Sequence, residues 1–88
     1  MDNIRLSDGR EVSVVSFAIS TAGYLFIRVS MSIAEAYTFF SHGTDSIVYK
    51  PSEGEARRVL GFTNIAYIVN EENCVRVALV RPPEFWEA

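Results

Sequence analysis

The chain has 88 residues, of which 49 % are hydrophobic and 22 % charged, a composition typical of one globular domain. Its net charge is −3 and both signs are scattered along it, so we expect no nucleic-acid partner. No apolar stretch reaches the ~18 residues of a membrane span, and the first residues lack the basic start and following apolar run typical of a secretory signal. We therefore expect no membrane contact and a cytoplasmic or virion-associated protein that no signal peptide secretes.

The N-terminal residues predict a β-hairpin. Residues 3–6 and 11–19 are rich in strand formers and flank Asp8 and Gly9, which favour a two-residue turn with positive φ at both positions. Along the second strand the apolar residues change parity, from Val12 and Val14 to Val15, Phe17 and Ile19. One extra residue near Val14 and Val15, a β-bulge, would reconcile the two sets.

A third strand is predicted over residues 24–31, after a turn at residues 20–23. One face of this strand carries a continuous set of aliphatic side chains, namely Leu25, Ile27, Val29 and Met31. The opposite face begins with Tyr24 and Phe26 and then becomes polar. The strand is therefore apolar on both faces at one end, which indicates that something covers the second face.

The spacing of Ser32 and Glu35 predicts a capping box, and hence a short helix over residues 32–42. The pattern i, i+3, i+4, i+7 predicts that its core stripe is Ile33, Ala36, Tyr37 and Phe40. Phe39 falls off that stripe. His42 is expected in the last turn, where the partial negative charge of the helix end favours a protonated imidazole.

The rest of the chain predicts further strands. Residues 46–50 form one, residues 57–69 show a broken strand pattern, and residues 65–69 and 74–80 flank a four-residue hairpin connection. The predicted fold class is α+β: one antiparallel sheet of about six strands in the order β-β-β-α-β-β-β, with one short helix packed on one face. Residues 1–88 are expected to form a single domain, with 82–88 as a C-terminal tail after Pro82 and Pro83.

No combination of residues predicts catalysis, a metal site or a cofactor. Ser41 and His42 are adjacent, and adjacent helical side chains point about 100° apart, so we expect no productive contact and no orienting carboxylate. Cys74 is preceded by Glu71, Glu72 and Asn73, and the negative charge should raise the pKa of its thiol and lower its reactivity. No phosphate-binding glycine pattern is present. We expect a protein that is not an enzyme and has no cofactor.

Several apolar side chains have no obvious place in the core of a fold with one helix. The predicted interaction surface consists of Tyr24, Phe26, Phe39, Ile68, Phe85 and Trp86. Such leftover residues mark either a misjudged face or a binding surface. A chain of this length buries only roughly 60 to 65 % of its unfolded surface, so closing such a face against a partner would add stability.

Three segments of the chain resemble a known group of proteins. They are residues 4–11 with an I-x-L-x-D-G opening, the helix over 32–40 of the S-I-x-E-x-Y-x-x-F kind, and Gly61-Phe62-Thr63 before the last hairpin. In this order they are similar to small structural or tail-region proteins encoded in phages and prophages of Firmicutes. The resemblance implies a structural role and transfers no catalytic residue.

Two functions follow as hypotheses. The first is a non-enzymatic assembly or protein-interaction module, such as a phage-derived structural or tail-associated protein, with a second copy or a virion or tail protein as its partner. The second is a small-molecule-binding domain in which Tyr24, Phe26 and Phe39 line a cleft. A flat aromatic surface would support the first hypothesis, and a concave pocket with convergent polar groups would support the second.

Overall fold

A computed structural model describes residues 1–80, which contain eight strands and one helix. Before the helix come β1 (Asn3–Arg5), β2 (Glu11–Ser13), β3 (Ser16–Ile19) and β4 (Tyr24–Val29). The helix is α1 (Ile33–Phe40). After it come β5 (Ser46–Lys50), β6 (Arg57–Leu60), β7 (Ile65–Asn70) and β8 (Val75–Val80).

The strands form two antiparallel sheets of four strands each. Sheet A has the order β2-β1-β5-β6 and sheet B the order β3-β4-β8-β7. The predicted α+β class with antiparallel pairing is confirmed, but the single sheet of about six strands is replaced by these two sheets. Their inner faces, together with α1, share one core whose largest fully buried side chains include Ile4, Ile47, Leu25, Ile27, Val77 and Phe40.

The chain passes from sheet A to sheet B between two adjacent residues. The amide of Val14 donates to the Asp2 carbonyl (2.8 Å), next to β1, whereas the amide of Val15 donates to the Arg28 carbonyl of β4 (2.7 Å). Val14 is buried and Val15 is 58 % exposed. The predicted bulge within one strand is therefore wrong, because the change of parity marks a corner where one strand ends and another begins in the second sheet.

The turn of the first hairpin has three residues instead of the predicted two. The Leu6 amide donates to the Arg10 carbonyl (2.8 Å), and the Gly9 amide donates to the Leu6 carbonyl (3.0 Å). Gly9 has φ +92° and no other residue type in the described chain has positive φ, so Asp8 is not left-handed. A tight turn followed by a left-handed glycine is the common three-residue alternative to the predicted turn.

The capping box at the start of α1 is confirmed. The Ser32 hydroxyl accepts from the Glu35 amide (3.1 Å), and the Glu35 carboxylate accepts from the Ser32 amide (3.2 Å). The helix ends at Phe40, with Ser41 as the C-cap. His42 consequently lies beyond the helix and not in its last turn.

The helix turns a narrower face to the core than the sequence predicts. Ala36 and Phe40 are buried and Phe39 packs against the core, but Ile33 is 39 % and Tyr37 is 63 % exposed. The predicted core stripe is thus right for Ala36 and Phe40 and wrong for Ile33 and Tyr37. Phe39, which was predicted to lie off the stripe, packs against the core. The contacts of α1 are mainly with β7 and β8, and Ala36, Phe39 and Phe40 are the helix residues that face the core.

The C-terminal hairpin forms as predicted between β7 and β8, with one irregularity. Its register shifts between Ile65, which is opposite Leu79, and Tyr67, which is opposite Ala78. As a result Ile65 and Ile68 both pack against the core. The broken pattern over 57–69 resolves into β6 and β7. The predicted tail, residues 82–88, lies outside the described residues.

Candidate interaction surface

The outer face of sheet B carries aromatic and arginine side chains. Along β4, Leu25, Ile27 and Val29 are fully buried, and the residues between them point to the opposite side. The register places Tyr24 opposite Val80 and Phe26 opposite Ala78 on β8, and Tyr67 of β7 on the other side of Ala78. Residues directly opposite each other share a face. We call Tyr24, Phe26, Tyr67, Arg76 and Val80 the aromatic face.

The side chains of the aromatic face are packed against one another. The Tyr24 ring centroid lies 5.8 Å from that of Phe26 and 6.0 Å from that of Tyr67. The Arg76 guanidinium carbon lies 5.3 Å from the Phe26 centroid and 5.7 Å from the Tyr67 centroid, within the range of cation–π attraction. Ala78 lies between these groups and is fully buried. The face is therefore preorganised.

A charged cluster borders the aromatic face. The Arg28 Nε donates to Glu71 Oε1 (2.7 Å), and Arg76 Nη1 lies 3.4 Å from Glu71 Oε2. The hydrogen bond from Arg28 holds the pKa of Glu71 below its usual value. Arg28 also donates to the Ser16 hydroxyl (3.2 Å). Two cations and one anion leave this border with an excess positive charge, although the chain carries a net charge of −3.

The structure brings together only part of the predicted interaction surface. Tyr24 and Phe26 lie on the aromatic face. Ile68 packs against the core, and Phe39 belongs to α1, where its ring contacts Phe40. Phe85 and Trp86 lie outside the described residues.

Sequence reasoning missed Tyr67 and Arg76. The alternation of Val75, Arg76 and Val77 in the last strand would have identified the outward position of Arg76. Tyr67 could not be assigned in this way, because the register shift after Ile65 reverses the parity of β7.

Ser41 and His42 lie within contact distance of each other, and a carboxylate is close by. Ser41 Oγ lies 3.2 Å from His42 Nδ1, and His42 Nε2 lies 3.7 Å from Asp8 Oδ2. Ser41 is the C-cap of α1, and His42 lies beyond the helix end. The three residue types are those of a nucleophile, a base and an orienting acid.

Their hydrogen bonds differ from those of a catalytic triad. The Ser41 hydroxyl donates its single proton to the Thr38 carbonyl (2.9 Å), so it has no proton to give to His42. Asp8 accepts a hydrogen bond from Arg10 Nε (2.7 Å), which keeps the pKa of this carboxyl below its usual value. With 68 % of the His42 side chain exposed, the cluster offers no desolvated site for acid–base chemistry.

Cys74 and the acidic residues give no reactive or metal-binding centre. Partial burial and then the hydrogen bond to Glu71 (3.6 Å) raise the pKa of the Cys74 thiol, so it is protonated at neutral pH. Residues 1–80 contain no group of three or more His, Cys, Asp or Glu side chains placed to hold a metal ion.

Two hollows flank α1. The first, about 500 Å³, lies between α1 and β7, and the second, about 460 Å³, lies on another side of the helix and includes Arg10, Met31 and Phe39. Neither Tyr24 nor Phe26 lines the second hollow. The predicted cleft lined jointly by Tyr24, Phe26 and Phe39 is therefore not formed.

Fold and surface together define a small α+β domain of two antiparallel sheets, with a half-buried aromatic face on the outer side of sheet B. Within residues 1–80, no helix has the length and apolar character needed to cross a membrane. Comparisons with protein-family models, with curated proteins and with solved structures found no match to this chain.

Proposed function

We propose that this chain is a non-enzymatic assembly module that binds a second copy of itself, or another protein, through the aromatic face. The observation that carries the proposal is the packed set of Tyr24, Phe26, Tyr67 and Arg76 on the side of sheet B that faces away from the core. Within the described residues, α1 buries Ala36 and Phe40 on the opposite side of that sheet.

The composition of the aromatic face favours protein binding. Tyrosine, tryptophan and arginine dominate the energetics of protein interfaces, with a few residues each worth ~2 kcal/mol or more. Because Tyr24, Phe26 and Arg76 already contact one another, they lose little side-chain entropy when a partner covers them. The border of Arg28 and Glu71 adds charges that can fix the orientation of a partner.

The area of the face sets the expected affinity. Sheet B has three strands of six residues and one of four, and at ~3.3 Å per residue and ~4.8 Å between strands these cover about 350 Å². One partner in a standard interface contributes ~800 Å². Self-association through this face alone should therefore be weak, with a micromolar or weaker Kd, and other surfaces must contribute to any tight complex.

Light scattering after size exclusion, over a wide range of concentration, tests the proposal. The mass of the wild type should rise with concentration above that of one chain, and Phe26→Ser should weaken association roughly 30-fold, since a hot spot is worth ~2 kcal/mol. Val15→Ser is the matched control, because Val15 is 58 % exposed and lies off the aromatic face. A monomer at every concentration, or equal loss in both variants, would contradict self-assembly through this face.

The resemblance to phage structural and tail-region proteins supports a virion or tail protein as the alternative partner. The positions of neighbouring genes test this setting directly. Tail or capsid genes on either side would support it, and a metabolic operon would contradict it.

A small ligand is the second candidate, and one observation favours it. The hollow beside Phe39 has a volume within the ~300–1,000 Å³ range of ligand sites and an aromatic wall. The Arg10 guanidinium carbon lies 4.6 Å from the Phe39 centroid, but Arg10 already binds Asp8 and the His42 carbonyl. Because the one cationic group of the hollow is already engaged by Asp8 and the His42 carbonyl, assembly remains the better-supported proposal.

A further inference from the structure

The two sheets end in four edge strands, and β7 is the least protected of them. Sheet A ends at β2 and β6, and sheet B ends at β3 and β7. The strand β2 has three residues, β3 has four, and β6 carries Arg57 and Arg58. In contrast, β7 has six residues, and residues 63–70 include no charged residue and no proline. Because short length, charge and proline keep an edge strand from pairing with another chain, β7 is the described edge most open to pairing.

The hydrogen bonds to β8 determine which backbone groups of β7 face outward. The Glu71 amide donates to the Cys74 carbonyl (2.8 Å), and the register then advances one residue at a time back along β7. In an antiparallel ladder, residues that bond to the partner strand alternate with residues that do not. Val69 therefore bonds to β8, whereas the N–H and C=O groups of Ile68 and Asn70 point away from it. Among the described residues, β7 pairs with β8 alone.

The helix leaves this edge accessible. The contacts of α1 are with both β7 and β8. A helix in the plane of the sheet beside β7 could not also reach β8, because strands are ~4.8 Å apart and a helix is about 10 to 12 Å wide. The helix therefore packs on the inner face of sheet B. An open groove of about 500 Å³ separates it from β7, and the helix side chains that line this groove are uncharged, namely Ile33, Tyr37 and Ser41.

A second copy can pair with this edge in a closed arrangement. When two β7 strands run antiparallel about a two-fold axis at Val69, Ile68 of one copy is opposite Asn70 of the other on both sides of the axis. The outward N–H and C=O groups of these residues in both copies then bond to one another. Most residues of β7 are β-branched or aromatic, the types that favour strand pairing. Because both edges are used at once, no open β7 edge remains.

Edge pairing also supplies area that the aromatic face of one chain lacks. Residues directly opposite each other share a face of the sheet, so two sheets joined through β7 have their aromatic faces on the same side. Two faces of about 350 Å² amount to about 700 Å², close to the ~800 Å² that one partner contributes to a standard interface. This gain rests on the proposed function, whereas the pairing itself uses only the backbone of β7.

We propose that β7 is a dimerisation edge, through which two copies of this chain join their B sheets into one antiparallel sheet of eight strands. The two-fold axis passes through Val69, and the dimer presents a continuous double aromatic face.

Amide hydrogen exchange, followed by NMR in the full-length protein, tests the proposal. In dilute protein, the amides of Ile68 and Asn70 should exchange far faster than that of Val69, which bonds to β8. As the concentration rises both should slow, roughly tenfold when about nine in ten chains are paired, because only an unpaired edge exchanges. Ile19 is the control, since it lies on the opposite edge of sheet B and the next amide along the chain bonds back toward β4. Its exchange should not change.

A proline at position 70 tests the hydrogen bonds of the edge. Asn70→Pro removes one outward N–H and none that bonds to β8. The Ile68 amide should then exchange rapidly at every concentration, and slow exchange of Val69 establishes that the hairpin is intact. Asn70→Ala is the matched control and should keep the concentration dependence.

A charge swap at the axis provides a second variant that needs no proline. Val69→Lys places two like charges opposite each other, so this variant alone should leave the Ile68 amide unprotected at every concentration. An equal mixture with Val69→Glu should restore the protection, because opposite charges then face each other. No protection in the mixture would contradict the two-fold axis at Val69.

Three results would overturn the proposal. The first is rapid exchange of Ile68 and Asn70 at every concentration, and the second is slow exchange that does not depend on concentration, since the edge would then be covered within one chain. The third is protection of Ile68 that survives Asn70→Pro. Phe26→Ser separates this inference from the proposed function: the concentration-dependent protection should persist in this variant even where association through the aromatic face is lost. Its disappearance in Phe26→Ser would assign the contact to the aromatic face and contradict pairing through the edge.

Discussion

The two faces of sheet B are built from the same strands and differ in chemistry. On β4, the inner residues Leu25, Ile27 and Val29 are aliphatic and fully buried, whereas the outer residues Tyr24 and Phe26 are aromatic and half-buried. Aliphatic side chains fill a core closely, and aromatic rings beside arginine combine apolar area with polar groups that tolerate water. The difference shows that the outer residues of β4 are of a type that tolerates partial exposure to water, whereas the inner residues are of a type that fills a core.

The largest expected effect on the free energy of unfolding comes from comparing the buried side of α1 with its exposed side. Phe40→Ala should lower the free energy of unfolding by about 3 to 5 kcal/mol, because Phe40 is 1 % exposed and its removal leaves a cavity in the core. Tyr37→Ala, on the exposed side, should change it by less than about 0.5 kcal/mol. Urea unfolding followed by circular dichroism measures both. Equal losses would show that the described helix face is wrong.

A pair of neighbouring substitutions compares the faces of β4 directly. Ile27→Ala should cost about 2 to 5 kcal/mol, because Ile27 is fully buried. Phe26→Ala removes a larger side chain, yet it should cost less than half as much, because the Phe26 ring is still partly exposed to water in the folded state. The same unfolding experiment, performed on dilute protein to keep it monomeric, measures the loss of stability in both variants. A greater loss for Phe26→Ala would place that ring in a core.

The smallest effect concerns the charged border, and it depends on pH. Because its pKa is lowered by the Arg28 hydrogen bond, Glu71 adds stability that is present above its unfolded-state pKa and lost as the pH falls through the folded-state value. Glu71→Gln should therefore lose less stability than the wild type when the pH falls from roughly 5 to 3. Glu72→Gln, which removes the neighbouring exposed carboxylate, is the control and should follow the wild-type curve more closely.

Local features of the fold could be predicted from the sequence. The capping box of Ser32 and Glu35 and the bounds of β5 depend on residues a few positions apart, and they appear as expected. The division into two sheets depends on which strands meet, and the parity change at Val14 and Val15 is compatible with either a bulge or a corner. Only the distant partners of their amides, Asp2 and Arg28, decide that question.

Only those residues of the candidate surface that depend on alternation within one strand could be predicted from the sequence. Tyr24 and Phe26 follow from alternation within a single strand. Tyr67 joins them only through the register shift beside Ala78, and Ile68 leaves the predicted set for the same reason. Phe39 was misplaced because the helix face depends on the shape of the space that two sheets leave open. Alternation is local, whereas register and packing are properties of the assembled domain.

The most direct test of assembly through the aromatic face is a methyl NMR titration of the protein against itself. As the concentration rises, the methyl signals of Ala18 and Val80, on the outer side of sheet B, should shift together. The signals of Ile27 and of Val15 should stay in place, because the first lies in the core and the second on an exposed corner away from this face. Shifts centred on Val15, or no concentration dependence at any methyl group, would contradict the account.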